Sequence, residues 1–469
     1  MRRSPLALAA VVACFFMLPA VQATAALPPI KHVWIIVLEN ENYDTTFGPS
    51  SKAPYLAKTL TSQGQLLTHY YGIGHFSLDN YIAMVSGQPP NPHTQADCMV
   101  YTDFAGAVGP DGIAVGQGCV YPTAVKTVGD QLEAKGLAWK GYMEDMGTGC
   151  RHPALNQHDD TQTARANDQY AARHNPFVYF HSIIDRPICA TNDVDLSKLQ
   201  GDLASTATTP SYSFITPDLC SDGHDAPCAD KRPGGLVSAN DFLKTWIPRI
   251  TGSRAYADGG LVIVNFDESG SGAEDCCGEP TGPNTPNNGG ITQGNGGGRT
   301  GAVLLSPYIK AGSVNDTPYN HYSLLRSTED MFGLAHLGYA ANTGLKPFEE
   351  DVFNNPAGDT KFNGGGTNGN GGNTKPGPRP KVTLTGVPRG ECISRAFTAR
   401  VKIRSNQLRN VHVLLDRRRI AKRTSKSFSV RVGVGGLRAG NHHLTVRARD
   451  ASRRTTLKSA VFRMCRRDT

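Results

Sequence analysis

The chain has 469 residues, more than one ordinary domain needs, and its formal net charge of +8 hides an uneven distribution. Residues 381–469 contain 23 of the 48 Lys and Arg residues but only 4 of the 40 Asp and Glu residues. This segment therefore has a net charge of about +19, and the rest of the chain has about −11. Beyond the first residues no segment approaches the roughly 20 apolar residues that span a bilayer, which argues against a membrane-spanning protein.

The first residues have the pattern of an export signal. Arg2 and Arg3 precede an apolar run from Leu6 to Leu18, and Ala23-Thr24-Ala25 follows as a cleavage site of small residues. We therefore predict a signal peptide over residues 1–25 and a mature protein that is secreted or associated with the cell envelope.

The next segment, residues 32–38, is an apolar run short enough to be a buried strand, and it ends in two polar residues, Glu39 and Asn40. The carboxyl ends of parallel strands are where ligands collect in open α/β sheets. Either residue could instead cap a turn, but a second strand of the same kind further along the chain favours a functional site.

Residues 74–87 offer a nucleophile. Ser77 precedes a short helical pattern that Gly87 closes, so its hydroxyl is expected at a helix N-terminus, where backbone N–H groups favour an anion. A serine in this position is more commonly a simple helix cap. The neighbouring His75 and a distant pair of carboxylates favour a chemical role, and the absence of a Gly-x-Ser-x-Gly elbow argues against an esterase triad.

The cysteines indicate disulfides. Ten remain beyond the signal, an even number that suits an oxidising compartment. Eight lie between Cys98 and Cys277, where 105 pairings are possible, and their spacing does not favour a zinc site. We expect Cys392 and Cys465 to bridge the two ends of the basic segment.

Residues 261–268 have the same pattern as residues 32–40: an apolar run that ends in two polar residues, here Asp267 and Glu268. Together, Glu39, Asn40, Asp267 and Glu268 form an oxygen ligand set, with Ser77 as a possible fifth ligand. Such a set suits Ca²⁺, Mg²⁺ or Mn²⁺ better than Zn²⁺. A metal could also activate the serine.

Apolar runs alternate with helical patterns up to about residue 355, which predicts an α/β domain with a mostly parallel sheet over residues 26–355. The predicted strands are 32–38, 137–143, 211–216, 261–266 and 301–305, and the predicted helices include 124–135, 236–249 and 322–334. His224 and His321 are candidate hydrogen-bond donors to a phosphate group or candidate general acids, although a lone histidine is more often structural.

The remaining chain predicts a linker and a second domain. Residues 356–380 are rich in Gly, Asn and Pro and are expected to connect the domains, whereas residues 381–469 contain short alternating runs typical of a small β-sandwich, which we expect to be Ig-like. The basic surface of this domain would attract an anionic membrane or cell-wall polymer. It contains no specific nucleic-acid motif.

Several motifs in this order resemble the bacterial phosphoesterase family, which contains secreted acid phosphatases and phospholipases C and belongs to the alkaline-phosphatase-like superfamily. The resemblance covers roughly residues 30–340. The motifs are residues 38–44, 75–81, 139–145, 174–177, 215–225, 266–268 and 321–326.

The resemblance implies a sheet covered by helices on both faces and a reaction in which Ser77 attacks phosphorus to form a phospho-enzyme. It also implies that Glu39, Asn40, Asp267 and Glu268 hold the metal. The histidines His224 and His321 would contact the phosphoryl group. The residues expected to contact the substrate are His75, Asn80 and His174, of which His174 could equally be structural.

Two departures from the family pattern bear on the substrate. Asp79 stands where relatives usually have Pro, and Ser269-Gly270 stands where the phospholipase C branch tends to carry a His and a further Asp-His. We therefore expect a secreted phosphomonoesterase of the acid phosphatase type. The alternatives are a phospholipase C and, from another class, an envelope-binding protein with an inactive phosphoesterase-like domain.

Overall fold

The computed structural model describes residues 27–270, 275–277, 296–355, 381–388, 392–404, 408–416, 418–437, 439–450 and 455–465. The predicted signal peptide, the predicted linker and most of the Gly- and Asn-rich stretch at 278–298 lie outside the described residues. The chain divides into two compact units, residues 1–367 and 368–469.

The first unit is built on an eight-stranded sheet. Its strands are β1 (His32–Leu38), β2 (Gln65–Leu67), β3 (Trp139–Met143), β4 (Asp193–Asp195), β5 (Tyr212–Thr216), β6 (Gly260–Phe266), β7 (Ala302–Leu305) and β8 (Ser313–Asn315). They lie in the order β8-β2-β7-β6-β1-β5-β3-β4, and within this sheet only β7 runs against the others. The predicted mostly parallel sheet is confirmed.

The two strands that carry the predicted ligands lie side by side in the middle of this sheet. All seven residues of β1 and all seven of β6 are buried, as expected for central strands covered on both faces. The three strands that the sequence did not indicate, β2, β4 and β8, have only three residues each, too few for a periodic pattern.

Helices cover both faces of the sheet. The longest are α1 (Ser77–Ser86), α2 (Val128–Ala134), α3 (Gly235–Thr251) and α4 (His321–Phe332). The helices α1, α2 and α4 share one apolar core with Val33, Ile35 and Val37 of β1, whereas α3 shares another with Trp34, Ile36 and Leu38. Successive side chains of one strand therefore enter two different cores.

Shorter helical segments complete this unit. They are Tyr43–Phe47, Tyr55–Leu60, Thr61–Gln63, Thr94–Ala96, Asp160–Gln162, Ala172–His174, Pro176–Tyr179, His181–Ile184, Cys189–Asn192, Leu196–Lys198, Leu199–Asp202, Arg254–Ala257 and Gly338–Ala341. Two-residue to four-residue strands pair outside the main sheet. They are Tyr70–Tyr71 with Tyr319–Asn320, Val100–Tyr101 with Gln157–His158, and Ala105–Val108 with Ala114–Gln117.

The predicted helices exist, and local capping sets their ends. The helix predicted at 124–135 starts later, at Val128, because Thr127 and Asp130 form a reciprocal capping box. The helix predicted at 322–334 ends at Phe332, since Gly333 adopts the left-handed conformation (φ 61°) that closes helices.

The second unit consists of two sheets around one core. One has the order β9-β11-β14 and the other β10-β16-β15-β12-β13. The strands are β9 (Lys381–Thr385), β10 (Cys392–Ile393), β11 (Phe397–Arg404), β12 (Leu408–Leu415), β13 (Arg418–Arg423), β14 (Ser427–Val432), β15 (Gly440–Asp450) and β16 (Thr455–Met464). Apolar side chains of both sheets pack together, among them Val401, Val430 and Val446, so the predicted small β-sandwich is confirmed.

All ten cysteines beyond the signal segment form disulfides. The pairs are Cys98–Cys119, Cys150–Cys189, Cys220–Cys228, Cys276–Cys277 and Cys392–Cys465. The last pair joins β10 to the end of β16, as expected from the sequence. Among the described residues, no helix combines the length and the apolar character needed to cross a bilayer.

Candidate active site

The predicted ligand residues meet at the carboxyl ends of β1 and β6. These strands pair in parallel with Leu38 opposite Phe266, so the residues that follow them leave the sheet together. The backbone N–H of Asp267 donates to Leu38 O at 2.9 Å, and that of Asn40 donates to Asp267 Oδ1 at 3.1 Å. Asn40 has a positive φ of 44°, a left-handed conformation that Asn tolerates better than most residues.

Ser77 is the first residue of α1, and its hydroxyl points at this cluster. Ser77 Oγ donates a hydrogen bond of 2.9 Å to Glu39 Oε2. The preceding loop passes close over the end of β6, because a Cβ on Gly72 would lie 2.6 Å from Asp267 O. Only glycine allows this approach, which carries the chain to the helix N-terminus beside the carboxylates.

Asn80 fixes the same loop from within α1. Its Oδ1 accepts from the N–H groups of Ile73 and Gly74 at 2.8 and 3.3 Å, and its Nδ2 donates to the carbonyls of Gly74 and Phe76 at 2.8 and 2.9 Å. The amide is thus occupied by the backbone that leads to Ser77. Asn80 therefore holds the loop that precedes Ser77.

Burial and mutual repulsion raise the pKa values of the carboxyl groups at the strand ends. Burial, followed by the charges of Asp267 and Asp222, holds the pKa of Glu39 well above its usual range. Burial also raises the pKa of Asp267 to about 6, and burial with the charge of Asp267 raises that of Glu268 well above normal. None of the three has a Lys or Arg ion-pair partner among the described residues.

Such a cluster is unfavourable unless protons or a cation neutralise it. Asp267 Oδ2 is buried and has no hydrogen-bond partner, although its neighbour Oδ1 has two. A free buried carboxylate oxygen next to Glu39, Asn40 and the Ser77 hydroxyl suits a hard divalent cation. The residues present therefore fit the predicted metal, and Glu39, Asn40, Asp267 and Glu268 are the groups that would hold it.

Two histidines support the carboxylate pair from opposite sides. His75 Nδ1 lies 2.6 Å from Glu268 Oε2. The fully buried His321, the first residue of α4, contacts the carbonyl oxygen of Asp267 through Nε2 and the Tyr70 hydroxyl through Nδ1 at 3.0 Å. Burial lowers the pKa of His321 to about 4, so this imidazole is neutral at physiological pH.

His174 lies between two acids beneath the serine. Its Nε2 is 3.5 Å from Glu39 Oε2, its Nδ1 is 3.8 Å from Asp222 Oδ2, and its ring stacks on Tyr81 with centroids 5.2 Å apart. Burial holds the pKa of His174 well below its usual value. His174 therefore lies within the cluster of acids, whereas the sequence predicted either a substrate contact or a structural role for it.

His224 stands at the rim. It is exposed, and its Nδ1 is 3.0 Å from Asp225 Oδ1. The bond to Asp225, with the charges of Asp222, Asp225 and Asp267, raises the pKa of His224. The backbone N–H of His224 donates to Asp222 Oδ1 at 3.0 Å, which holds this residue beside the cluster at a position open to solvent.

Two residues of the cluster were not singled out from the sequence. Tyr81 donates its hydroxyl hydrogen to Glu39 Oε1, and the buried Asp222 accepts Glu39 N–H at its carbonyl oxygen, 2.9 Å away. Burial raises the pKa of Asp222 to about 8. Tyr81 could have been found from its place four residues after Ser77 on one helix face.

The geometry agrees with comparisons to known proteins. The sequence model of the Phosphoesterase family matches residues 49–335, which is more than half of the chain. This range includes Ser77, Asp267, Glu268 and His321. The chain belongs to the phosphoesterase family. The expected family resemblance is thereby confirmed, although the matched range begins after Glu39 and Asn40.

Several relatives of this phosphoesterase are fungal. An acid phosphatase of Aspergillus fumigatus is 26% identical over 309 residues, 65% of this chain and 55% of its own. A phosphate-repressible acid phosphatase of Penicillium chrysogenum is 25% identical over 337 residues, 69% and 66% of the two chains. This chain spans about 55–66% of the length of its fungal relatives.

A bacterial relative is matched over more of its length. A phosphatidylinositol-3-phosphatase of Mycobacterium tuberculosis is 23% identical over 320 residues, 68% of this chain and 83% of its own. Among solved structures, a protein in the alkaline phosphatase superfamily from Vibrio parahaemolyticus is 11% identical, with a TM-score of 0.40 over 93% of this chain and 83% of that one.

Proposed function

We propose that this protein is an extracytoplasmic, metal-dependent phosphomonoesterase of the acid phosphatase type that works through a phosphoserine. The observation that carries the proposal is the hydrogen bond of 2.9 Å from Ser77 Oγ to Glu39 Oε2, within a cluster of buried carboxyl groups at two strand ends. Family membership and the acid phosphatase relatives support the reaction class.

In the first step Ser77 Oγ passes its proton to its hydrogen-bond acceptor Glu39 Oε2 and attacks phosphorus, so that the Oγ–P bond forms and the bond from phosphorus to the ester oxygen breaks. The leaving alkoxide takes up a proton and departs as the alcohol. Water then attacks the phosphoserine, releases inorganic phosphate and restores the Ser77 hydroxyl. Ser77 stands at the N-terminus of α1, where backbone N–H groups and the helix dipole favour an anionic group.

A bound divalent ion would supply charge neutralisation at the phosphoryl oxygens and lower the pKa of the serine hydroxyl. Glu39, Asn40, Asp267 and Glu268 are the proposed ligands, and Ca²⁺, Mg²⁺ or Mn²⁺ suits their oxygens. His75 keeps Glu268 in place through the 2.6 Å contact, whereas His321 and its partner Tyr70 hold the backbone of Asp267.

His224 is the proposed proton donor to the leaving group, because it is solvent-accessible at the rim and its neighbouring acids favour the imidazolium form. His174 is proposed to orient Glu39 and not to contact the substrate, since Tyr81 and two acids enclose it. Asn80 is likewise proposed as a positioning residue.

Phosphoinositides are a second class of monoester to consider. The relative from M. tuberculosis, matched over 83% of its length, is named for a lipid phosphomonoester. A phosphatidylinositol 3-phosphate headgroup offers the same terminal phosphate as a soluble monoester, so the same residues would act on both.

We place the protein outside the cytoplasm and propose that residues 381–469 bind an anionic surface there. Five disulfides fit an oxidising compartment. The excess of 23 basic over 4 acidic residues in this segment suits an anionic membrane or cell-wall polymer.

The deciding experiment combines metal analysis of the purified protein with a substrate panel. An aryl phosphate monoester, an aryl phosphodiester, phosphatidylinositol 3-phosphate and phosphatidylcholine should be compared before and after chelation. We expect turnover of monoesters that stops with chelation and returns with one divalent ion. Preferential cleavage of the diester or of phosphatidylcholine would support a phospholipase C, and no turnover of any substrate by metal-loaded protein would support an inactive domain.

A further inference from the structure

The outer face of the sheet β9-β11-β14 is the most regular charged surface among the described residues of the second unit. Side chains of β11 alternate between the core and solvent: Ala399, Val401 and Ile403 are buried. The residues between them point outward. We call this outer surface the basic face. Its cations are Lys381, Arg400, Lys402, Arg404 and Arg431, all exposed.

The strand register arranges the basic face in rows. Lys402 lies between Thr383 and Ser427, and Arg400 lies between Thr385 and Ser429. The central strand therefore carries three cations in a row, Arg400, Lys402 and Arg404, and the flanking strands place hydroxyl groups beside the first two. Lys381 lies beside Arg404, and Arg431 lies beside Thr398. Outward residues recur about every 6.7 Å along β11, and neighbouring strands lie about 4.8 Å apart.

None of the residues of β9, β11 and β14 is acidic. None of the five cations has an ion-pair partner among the described residues of the chain. The outer face of the other sheet also carries exposed cations, including Arg447 and Arg463, but mixes them with His443 and the exposed Val461. The two faces therefore differ in how their charged residues are arranged.

The arrangement favours a narrow, linear partner. A row of three cations on β11, with Thr and Ser hydroxyls beside two of them, forms a strip about 10 Å wide over three strands. The outward residues of β9, β11 and β14 include no apolar side chain that could enter a bilayer and no aromatic ring on which a base could stack. A membrane and a single-stranded nucleic acid would each leave this pattern unused.

We propose that the basic face binds a linear phosphodiester polymer that lies along β11. Each tetrahedral phosphate directs its two free oxygens differently, so one can accept from Arg400, Lys402 or Arg404 and the other from a flanking Thr or Ser hydroxyl. The inference rests on the proposed anionic partner of residues 381–469 and specifies its chemistry and the surface that binds it.

The test compares two double variants of the full chain that lose equal charge. Arg400→Gln with Lys402→Gln alters the basic face, whereas Lys422→Gln with Arg463→Gln removes two exposed cations from the other sheet. Binding of each protein to poly(glycerol phosphate), polygalacturonate and phosphatidylglycerol vesicles is measured at two salt concentrations. Thermal unfolding checks that both variants fold.

We expect the wild-type chain to bind poly(glycerol phosphate), the first variant to bind it about tenfold more weakly or worse with a smaller salt dependence, and the second variant to resemble wild type. Equal losses in both variants would overturn the assignment to this face while leaving a generally anionic partner in place. Tighter binding to vesicles or to polygalacturonate would overturn the phosphodiester polymer. No binding to any of the three would overturn both the proposed anionic partner of residues 381–469 and the proposed polymer on the basic face. Aryl phosphate turnover is measured in parallel, and it tests the proposed enzyme activity independently of these outcomes.

Discussion

At the scale of single residues, the site brings together carboxyl groups that have no Lys or Arg partner among the described residues. The carboxylate of Glu39 accepts hydrogen bonds from Ser77 and Tyr81, and it lies 3.5 Å from His174 Nε2. A group with this many contacts can set the orientation of Ser77, the proposed nucleophile. Changes that remove one contact should therefore affect chemistry much more than folding.

Ser77→Ala should abolish turnover, with a loss of at least about a thousandfold in kcat, because the hydroxyl that forms the phosphoserine is gone. The fold and bound metal should remain, as measured by circular dichroism and metal analysis. Ser86→Ala is the matched control, since Ser86 is a buried serine of the same helix whose hydroxyl donates to the Ile82 carbonyl and accepts from the Gln88 N–H, away from the carboxylates. Retained activity in Ser77→Ala would refute the nucleophile assignment.

Tyr81→Phe should lower metal affinity or activity about 10- to 100-fold, the usual effect of removing a hydrogen bond to a ligating carboxylate. The phenyl ring keeps its packing against His174. Tyr142→Phe serves as the control, because it also removes a hydroxyl bond to a carboxylate, here 2.7 Å to Asp202. Metal titration followed by activity separates the two variants, and equal behaviour would argue against a positioning role for Tyr81.

At the scale of elements, α4 combines a site residue at its first turn with a buried acid further along. His321 begins the helix at the cluster, and Glu329 lies two turns later, where its Oε1 accepts the Leu337 N–H at 2.9 Å. Burial raises the pKa of Glu329 to about 9, with a smaller contribution from Asp330 and an opposing one from Arg326. This helix should thus make stability depend on pH.

The sign follows from proton uptake. Between the unfolded pKa of about 4.5 and the folded pKa of about 9, the folded protein holds a proton that the unfolded chain has lost, so this group destabilises the fold increasingly as pH rises. Glu329→Gln keeps the acceptor for Leu337 and removes the titration. We expect the unfolding free energy of the variant to gain on that of wild type by about 1.4 kcal/mol for each pH unit between pH 5 and 8, and to match it near pH 4.

Denaturant unfolding of both proteins across this pH range measures the difference. Lys244→Gln, an exposed substitution on α3, controls for general charge effects. Parallel pH profiles for Glu329→Gln and wild type would contradict the assignment of this pH dependence to Glu329.

At the scale of the whole molecule, the two units should respond separately to loss of the Cys392–Cys465 bridge. This disulfide links residues 73 apart and lies entirely in the second unit. The chain-entropy estimate for a loop of this length is about 4 kcal/mol of stabilisation. The double variant Cys392→Ser with Cys465→Ser should therefore lower the unfolding temperature of the second unit.

The first unit should be unaffected, and its tryptophans allow this to be observed. All three Trp residues of the chain, Trp34, Trp139 and Trp246, lie in the first unit. The transition of the first unit, followed by tryptophan fluorescence and by loss of aryl phosphate turnover, should stay at its wild-type temperature. Calorimetry should show a separate transition of the second unit at a lower temperature. A shift of the fluorescence transition would show that the units do not unfold independently.

Much of the architecture was accessible from the sequence, because long apolar runs and strong caps are local signals. The central strands, the long helices α3 and α4 and most strands of the second unit follow from local patterns, whereas β10 and β13 do not. The short strands β2, β4 and β8 did not, since three residues carry no period and gain their strand geometry only by pairing with neighbours.

The sequence by itself determined which groups could do chemistry: the acids that end two strands, a serine that begins a helix, and the cysteines and cations of the second unit. Only the tertiary structure decided that Tyr81 and Asp222 join Glu39, that Asn80 is committed to the loop before Ser77, and that one sheet face collects unpaired cations. The physical reason is that contacts between residues far apart in the chain depend on strand order and register, which no local pattern encodes.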